Sequence, residues 1–136
     1  MKGHRALPHT ADARIEAWAP TAAECIAEAI RAMIEGFADL GHAESGAVQT
    51  VRIGPGFPED QLVTALDEVI YRMDTTARIP RGVEAGEDQS GLWLRLDMAD
   101  VATISQIGAI PKAVALHDLR FLREPRGWSC AVTLDV

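Results

Sequence analysis

The sequence is poor in cysteine and contains no long apolar run, and each shortage excludes a class of protein. Its two cysteines, Cys25 and Cys130, form no CxxC pair, which argues against a zinc ribbon or a thioredoxin-like redox site. Both are expected to be buried, reduced thiols. No apolar run approaches the roughly 18 residues of a membrane span, and the first residues contain no stretch typical of a signal peptide. We therefore expect a cytoplasmic protein with no membrane association.

Basic residues are also scarce. The chain has 13 Lys and Arg residues against 20 Asp and Glu residues, which gives a formal net charge of −7. Nucleic-acid-binding proteins normally present a basic face, so we expect no direct contact with RNA or DNA. The acidic excess has two interpretations: a solubilising surface, or a few carboxylates gathered around a cation.

The sequence has none of the common catalytic motifs. It contains no GxSxG nucleophile elbow. The four histidines, His4, His9, His42 and His117, include no i, i+4 pair of the kind that binds zinc on a helix. The glycines at 54 and 56 have no neighbouring lysine that could hold a phosphate. These absences disfavour a stand-alone enzyme.

What is present is the pattern of a single α+β domain covering residues 1–136. The chain is 48% hydrophobic and 24% charged, a balance typical of a folded globular protein. A capping box at Thr21 and Glu24 opens one amphipathic helix that ends near Gly41, and Pro58 opens a second. The predicted buried stripes are Ile26, Ile30, Met33, Ile34 and Phe37 for the first helix, and Leu62, Leu66, Val69, Ile70 and Met73 for the second.

The remaining periodic segments alternate as strands do. Strands are expected over 13–18, 51–53, 92–98, 112–122 and 128–134. A hairpin turn is expected at 124–127, and loops over 84–91 and 100–111. This order of strands and helices predicts a mostly antiparallel or mixed sheet with the two helices packed on one face.

Two aspartates near opposite ends of the chain fall at strand ends. Asp12 precedes one predicted strand and Asp135 follows the last one. Side-chain alternation places both on the face opposite the core. If these strands pair, Asp12, Asp135 and a terminal carboxylate on Val136 converge, and oxygen donors without a soft ligand suit Ca²⁺ or Mg²⁺. Two ordinary surface aspartates would show the same spacing, and on spacing alone they are the simpler interpretation.

Four segments of the chain together resemble the archease family. They are His9-Thr10-Ala11-Asp12, the second-helix segment LDEVIY at 66–71, the strand PKAVALH at 111–117, and the ending 128–136. The match covers nearly the whole chain, in order. Two segments depart from the family pattern. The family carries a Gly-Glu segment within the region 97–110, and Asp-Trp-Leu at the position of 64–66.

The resemblance implies an accessory protein rather than an enzyme. Archeases are known as activators of the RtcB-type RNA ligase, which joins RNA ends in tRNA splicing and RNA repair. They promote guanylylation of the ligase by GTP and so support multiple turnover. The family also binds a divalent ion, expected to be Ca²⁺ with Mg²⁺ as the alternative, and matching position by position gives Asp12, Asp135 and Val136 as its ligands. The residues that we add as a functional surface are His9, Glu68, Lys112 and His117.

Two other functions stay open at this point. A small hydrolase or transferase would use Asp12, His9 and Lys112 as its polar cluster, and would turn over a substrate without a partner. A holdase-like chaperone would suppress aggregation without nucleotide. A GTP-dependent ligation assay with and without the protein separates the three.

Overall fold

The computed structural model describes residues 1–7 and 12–136, and it confirms the α+β class. Two helices accompany antiparallel strands. In chain order the elements are β1 (Gly3–Leu7), β2 (Asp12–Ala19), α1 (Ala22–Glu35), β3 (Ala38–Asp39), β4 (Val48–Ile53), α2 (Pro58–Thr76), β5 (Arg78–Asp88), β6 (Gly91–Asp100), β7 (Ser105–Gln106), β8 (Ala113–Glu124) and β9 (Gly127–Asp135). Neither helix in this part of the chain is long and apolar enough to cross a membrane.

Helix α1 begins as the capping box predicts. The Glu24 amide donates a hydrogen bond to Thr21 Oγ1 at 3.1 Å, and the whole predicted stripe is buried. The helix ends at Glu35 rather than near Gly41. The Phe37 amide donates to the Ile34 carbonyl at 3.1 Å, an i→i−3 bond that tightens the chain into a turn. Phe37 is therefore a core residue that lies beyond the helix.

Helix α2 begins at Pro58, as predicted. Proline is tolerated there because the first amides of a helix have no intrahelical acceptor. Leu62, Leu66, Val69 and Met73 of the predicted stripe are buried, and Ile70 is half-buried against the same core. The helix ends where Ala77 adopts a left-handed conformation with φ of 54°. Its amide donates to the Met73 carbonyl at 3.2 Å and closes the last turn.

The strands form two main sheets rather than one. One has the order β1-β2-β9-β8 and the other β4-β6-β5, while β3 and β7 make a short separate ladder. Helix α1 packs against β1, β2 and β9 of the first sheet and against β5 of the second. Helix α2 packs against β8, β4 and β5. Both helices thus bury apolar residues against both sheets, which joins the two sheets through one core.

The structure corrects several strand predictions. The loop expected over 100–111 contains the short strand β7, which forms because its two residues pair with β3. Residues 84–88, expected in a loop, continue β5, because each pairs with a residue of β6 from Arg95 to Gly91. Their Gly, Glu and Asp residues have low strand propensity, but cross-strand pairing outweighs that preference. Strand β1 was not predicted because Gly3–Leu7 has little apolar alternation. It is held by pairing with β2. The hairpin turn at 124–127 is confirmed, with Gly127 at φ of 138°, a conformation that favours glycine.

Strand β8 is interrupted, although the sequence predicted a continuous strand over 112–122. Ala115 pairs with Thr133 and Arg120 pairs with Ala131, so residues 116–119 have no partner on β9. We call residues 116–119 the β8 bulge. Within it Asp118 has a left-handed φ of 57°, and Leu116 is 68% exposed. The bulge thus projects an apolar side chain from the sheet.

Candidate functional site

The two aspartates at opposite ends of the chain meet across one strand pair. Asp12 begins β2 and Asp135 ends β9, and the two residues are direct partners in the antiparallel register. The next pair on the same face is Arg14 and Thr133, where Arg14 Nη1 donates to Thr133 Oγ1 at 2.7 Å. Residues two apart on a strand point to the same face, so the Asp12 and Asp135 side chains share that face. We call this pair the acidic edge.

The electrostatics of the acidic edge favour a cation. Like charges directly opposite one another on a strand pair destabilise it. Within residues 1–7 and 12–136, no ion pair includes Asp12 or Asp135. Paired carboxylate oxygens are the donor chemistry that Ca²⁺ and Mg²⁺ prefer.

Two carboxylates alone do not complete a coordination shell. No group of three His, Cys, Asp or Glu residues among those described could hold a metal. Val136 follows Asp135 directly and is 38% exposed, so main-chain oxygen atoms lie next to the pair. The donor set fits an ion that accepts carboxylate, main-chain and water oxygens together.

Arg14 connects the acidic edge to the β8 bulge. Its Nη1 reaches Thr133, and its Nη2 donates to the Asp118 carbonyl at 2.9 Å. Thr133 is only 1% exposed, so this arginine supplies a hydrogen bond to a buried hydroxyl group. Alternation could place Arg14 on the face of Asp12, but it could not reveal this contact, because the contact depends on an interruption that the sequence does not mark.

Lys112 lies at the junction between the acidic edge and a cavity beside α2. Its amide donates to the Asp135 carbonyl at 2.7 Å, and the residue, which is exposed, lines that cavity. The main chain of Lys112 thus fixes the end of β9, while the residue itself places a positive charge at the rim of the cavity.

The other residues predicted for the functional surface are dispersed. His117 is exposed on the β8 bulge, with Nδ1 3.4 Å from Asp118 Oδ2. Glu68 accepts a 2.9 Å hydrogen bond from Arg72 Nε on the same helix, and Arg72 also donates to Gln49 of β4. His9 lies outside the residues that the structure describes. The structure therefore brings Asp12, Asp135, Val136 and Lys112 together, while Glu68 is held in a contact between α2 and β4.

One carboxylate missed by the sequence analysis lies between α2 and β8. Burial raises the pKa of Asp67, and a hydrogen bond from the main chain of Val114 partly offsets that rise. The bond ties α2 to the strand that follows Lys112. Asp67 and the exposed Tyr71, one turn later, line the same cavity as Lys112. In the sequence, Asp67 resembles any acid on the wet face of a helix.

Comparison with known proteins gives consistent matches. The model of the Archease protein family matches residues 4–136. A "Probable protein archease" of Mycobacterium tuberculosis is 44% identical over 134 residues, which are 98% of this chain and 75% of that protein.

Solved structures are similar as well. The solution structure of Methanobacterium thermoautotrophicum protein 1598 is 25% identical, with a TM-score of 0.77 and coverage of 98% of this chain and 99% of that one. The crystal structure of "an archease, possible chaperone" from Thermotoga maritima has a TM-score of 0.70 at 18% identity, covering 96% of this chain and 94% of that one. The latter likeness concerns the fold alone.

Proposed function

The chain belongs to the archease family, and from that premise we propose that it is a non-catalytic accessory protein that activates an RtcB-type, GTP-dependent RNA ligase. It promotes guanylylation of the ligase and so supports repeated turnover in tRNA splicing or RNA repair. The observation that carries the proposal is the cross-strand pairing of Asp12 with Asp135, the two acids that the family resemblance marks as functional. The net charge of −7 supports action through a protein partner rather than direct binding to RNA.

The proposal includes a divalent ion, Ca²⁺ in the first instance, with Mg²⁺ as the alternative. Asp12, Asp135 and Val136 would hold it. A bound ion would neutralise the paired carboxylates and join β2 to β9. The residues of this chain then present a rigid edge to the ligase, with Arg14 and the β8 bulge behind it.

A reconstituted ligation assay tests this function. Purified ligase is incubated with GTP, a divalent metal ion and RNA ends that bear a 3′-phosphate and a 5′-hydroxyl, with and without this protein. The ligase concentration is kept below the RNA concentration. Wild-type protein is expected to convert a single round of ligation into many. Asp12→Ala and Asp135→Ala are each expected to lower the stimulated rate by at least about tenfold, because each removes a direct ligand of the ion.

The matched control is Glu87→Ala, which removes an exposed carboxylate from β5 of the other sheet. It changes the net charge by the same amount as the aspartate variants and is expected to stimulate fully. Full stimulation by the Asp12→Ala, Asp135→Ala double variant would contradict the role of the acidic edge. No stimulation by the wild-type protein would contradict the function itself.

Chaperone activity is a second candidate, supported by the description of the Thermotoga maritima relative as a possible chaperone. The large apolar side chains exposed on this chain, such as Tyr71 and Leu116, are the kind of surface that a holdase would use. An aggregation assay on a heat-denatured client, without ligase or GTP, separates the two functions. Suppression of aggregation in that assay, together with no stimulation of ligation, would favour the chaperone.

A further inference from the structure

An open groove lies along α2, on the side that faces the start of β8. Its volume is about 820 Å³, within the range of specific binding pockets. Buried Phe37, Met73 and Ile79 form its floor. Tyr71 of α2 and Ile110 of the segment before β8 form its walls. We call this cavity the α2 groove.

The walls of the α2 groove are more exposed than large apolar side chains normally are. Tyr71 is 63% exposed and Ile110 is 43% exposed, and Val101, which also lines the groove, is 41% exposed. Single exposed apolar residues are ordinary, but several around one concave surface mark a binding site. The floor residues are already packed in the core, so the groove can receive an apolar side chain without rearrangement of the fold.

The acidic side chains at the rim of the α2 groove indicate the kind of segment that would bind there. Asp67 and Asp74 lie on α2 two turns apart, about 10 Å along the helix, with Tyr71 between them. Both lie at the surface and line the groove, and Asp67 also accepts a hydrogen bond from the main chain of Val114. No ion pair among the described residues includes either one. A segment that matches these three residues would carry an apolar side chain to pack against Tyr71 and a basic side chain on either side of it to pair with Asp67 and Asp74.

Lys112 makes the two sides of the groove differ in charge. It lines the groove from the segment before β8, so the charge along α2 is negative while the charge beside β8 is positive. A bound segment therefore places its basic residues along α2. The Lys112 amide also donates to the Asp135 carbonyl at 2.7 Å, so this end of the groove adjoins the acidic edge and one partner can contact both.

We propose that the α2 groove is a docking site for a segment of the ligase partner, with an apolar side chain seated between Tyr71 and Ile110 and basic residues paired with Asp67 and Asp74. This inference rests on the proposed function, because it takes the ligase as the protein that supplies the segment. It adds a second contact, made mainly by apolar burial, to the acidic edge.

The test measures binding of purified, fluorescently labelled ligase to the full chain, alongside stimulation of ligation. Tyr71→Ser combined with Ile110→Ser is expected to weaken the dissociation constant at least about tenfold, as loss of a central anchor does. Asp67→Asn combined with Asp74→Asn is expected to weaken binding several-fold at about 50 mM salt and less at about 300 mM, because salt screens exposed charges.

Leu122→Ser is the matched control, since Leu122 is 48% exposed on β8 and does not line the groove. It is expected to bind like wild type, and circular dichroism verifies that every variant is folded. If wild-type protein stimulates ligation and the Tyr71, Ile110 variant binds equally well, the groove inference fails while the proposed function stands. If wild-type protein neither binds nor stimulates the ligase, both fail.

Discussion

At the scale of single residues, His4 couples an edge strand to a helix. Its Nδ1 lies 2.6 Å from Glu28 Oε2 and its Nε2 lies 2.8 Å from Glu35 Oε2. Partial burial alone would lower the pKa of His4, but hydrogen bonds to Glu35 and Glu28 and the attraction of both carboxylates outweigh it, so the pKa is raised. The imidazolium form therefore holds β1 against α1.

This coupling predicts a pH-dependent stability. A raised pKa stabilises the fold fully below the unfolded value of 6.5, and the contribution is lost as the pH rises through the folded value. His4→Gln should reduce the free energy of unfolding by about 1–2 kcal/mol at pH 6 and by less at pH 9. Urea unfolding at both pH values measures this, with exposed His42→Gln as control. A loss for His4→Gln that does not change with pH would contradict the ion-pair account.

The two cysteines are expected to be unreactive in the folded protein. Cys25 Sγ lies 3.7 Å from Cys130 Sγ, and both residues are buried. The hydrogen bond to Cys130 and burial raise the pKa of Cys25 far above its ordinary value. A thiol-specific disulfide reagent at about pH 8 should label neither cysteine in the native protein and both in denaturant, because only a thiolate reacts. A Gln89→Cys variant, at an exposed turn, should label at once. Rapid native labelling of Cys25 or Cys130 would refute the expectation.

At the scale of elements, what the sequence could predict depended on whether the signal was local. Helix α2 was predicted from its first residue because Pro58 and the apolar stripe act within one helix. The pairing of β2 with β9 was only a condition in the sequence analysis, supported by the tendency of chain ends to lie close, and the register supplies it. The β8 bulge and strand β5 could not be predicted in this way, because both depend on which residue faces which on a neighbouring strand.

The same limit applied to the candidate site. Alternation placed Asp12 and Asp135 on one face, which the register confirms. Alternation could not predict the α2 groove. Its residues come from the turn after α1, from α2 and its C-terminal cap, from β5 and from the segment between β6 and β8, and only the tertiary fold brings them together.

The β8 bulge gives a prediction at this scale. Arg14→Ala removes the donors to Thr133 and to the Asp118 carbonyl, and should cost about 1–3 kcal/mol because a buried hydroxyl group loses its charged partner. Amide hydrogen exchange should accelerate at Ala115 and Arg120, the residues that flank the bulge and pair with β9. The control is Arg5→Ala, an exposed arginine that pairs with Glu16 on the neighbouring strand and should cost less than about 1 kcal/mol. Equal losses and unchanged exchange would show that the bulge does not depend on Arg14.

At the scale of the whole molecule, the acidic residues differ in what surrounds their carboxylates. Six of the 20 Asp and Glu residues pair with an arginine within the part of the chain that the structure describes. Asp12 and Asp135 are different, because each faces another carboxylate across the strand pair that joins the two ends of the chain. A cation at this position would therefore stabilise the entire fold and not merely a surface loop.

That reasoning predicts opposite effects of one substitution under two conditions. Asp135→Asn removes the repulsion with Asp12, so in chelator the variant should be more stable than wild type by up to about 1 kcal/mol. With Ca²⁺ at about 100 times its dissociation constant, wild type should gain about 2.7 kcal/mol, or about 10 °C in melting temperature. The variant should gain little, so the order of stabilities reverses.

Differential scanning fluorimetry of both proteins in chelator, Ca²⁺ and Mg²⁺ measures the reversal and identifies the preferred ion. Glu87→Ala removes a carboxylate from the other sheet, and its melting temperature should change as that of wild type does in every condition. A general effect of ionic strength would raise the melting temperatures of all three proteins by similar amounts, because screening does not depend on the Asp12–Asp135 register. If wild type melts at the same temperature in chelator and in Ca²⁺, the acidic edge holds no ion, and the paired carboxylates would instead be a repulsion that the rest of the fold tolerates.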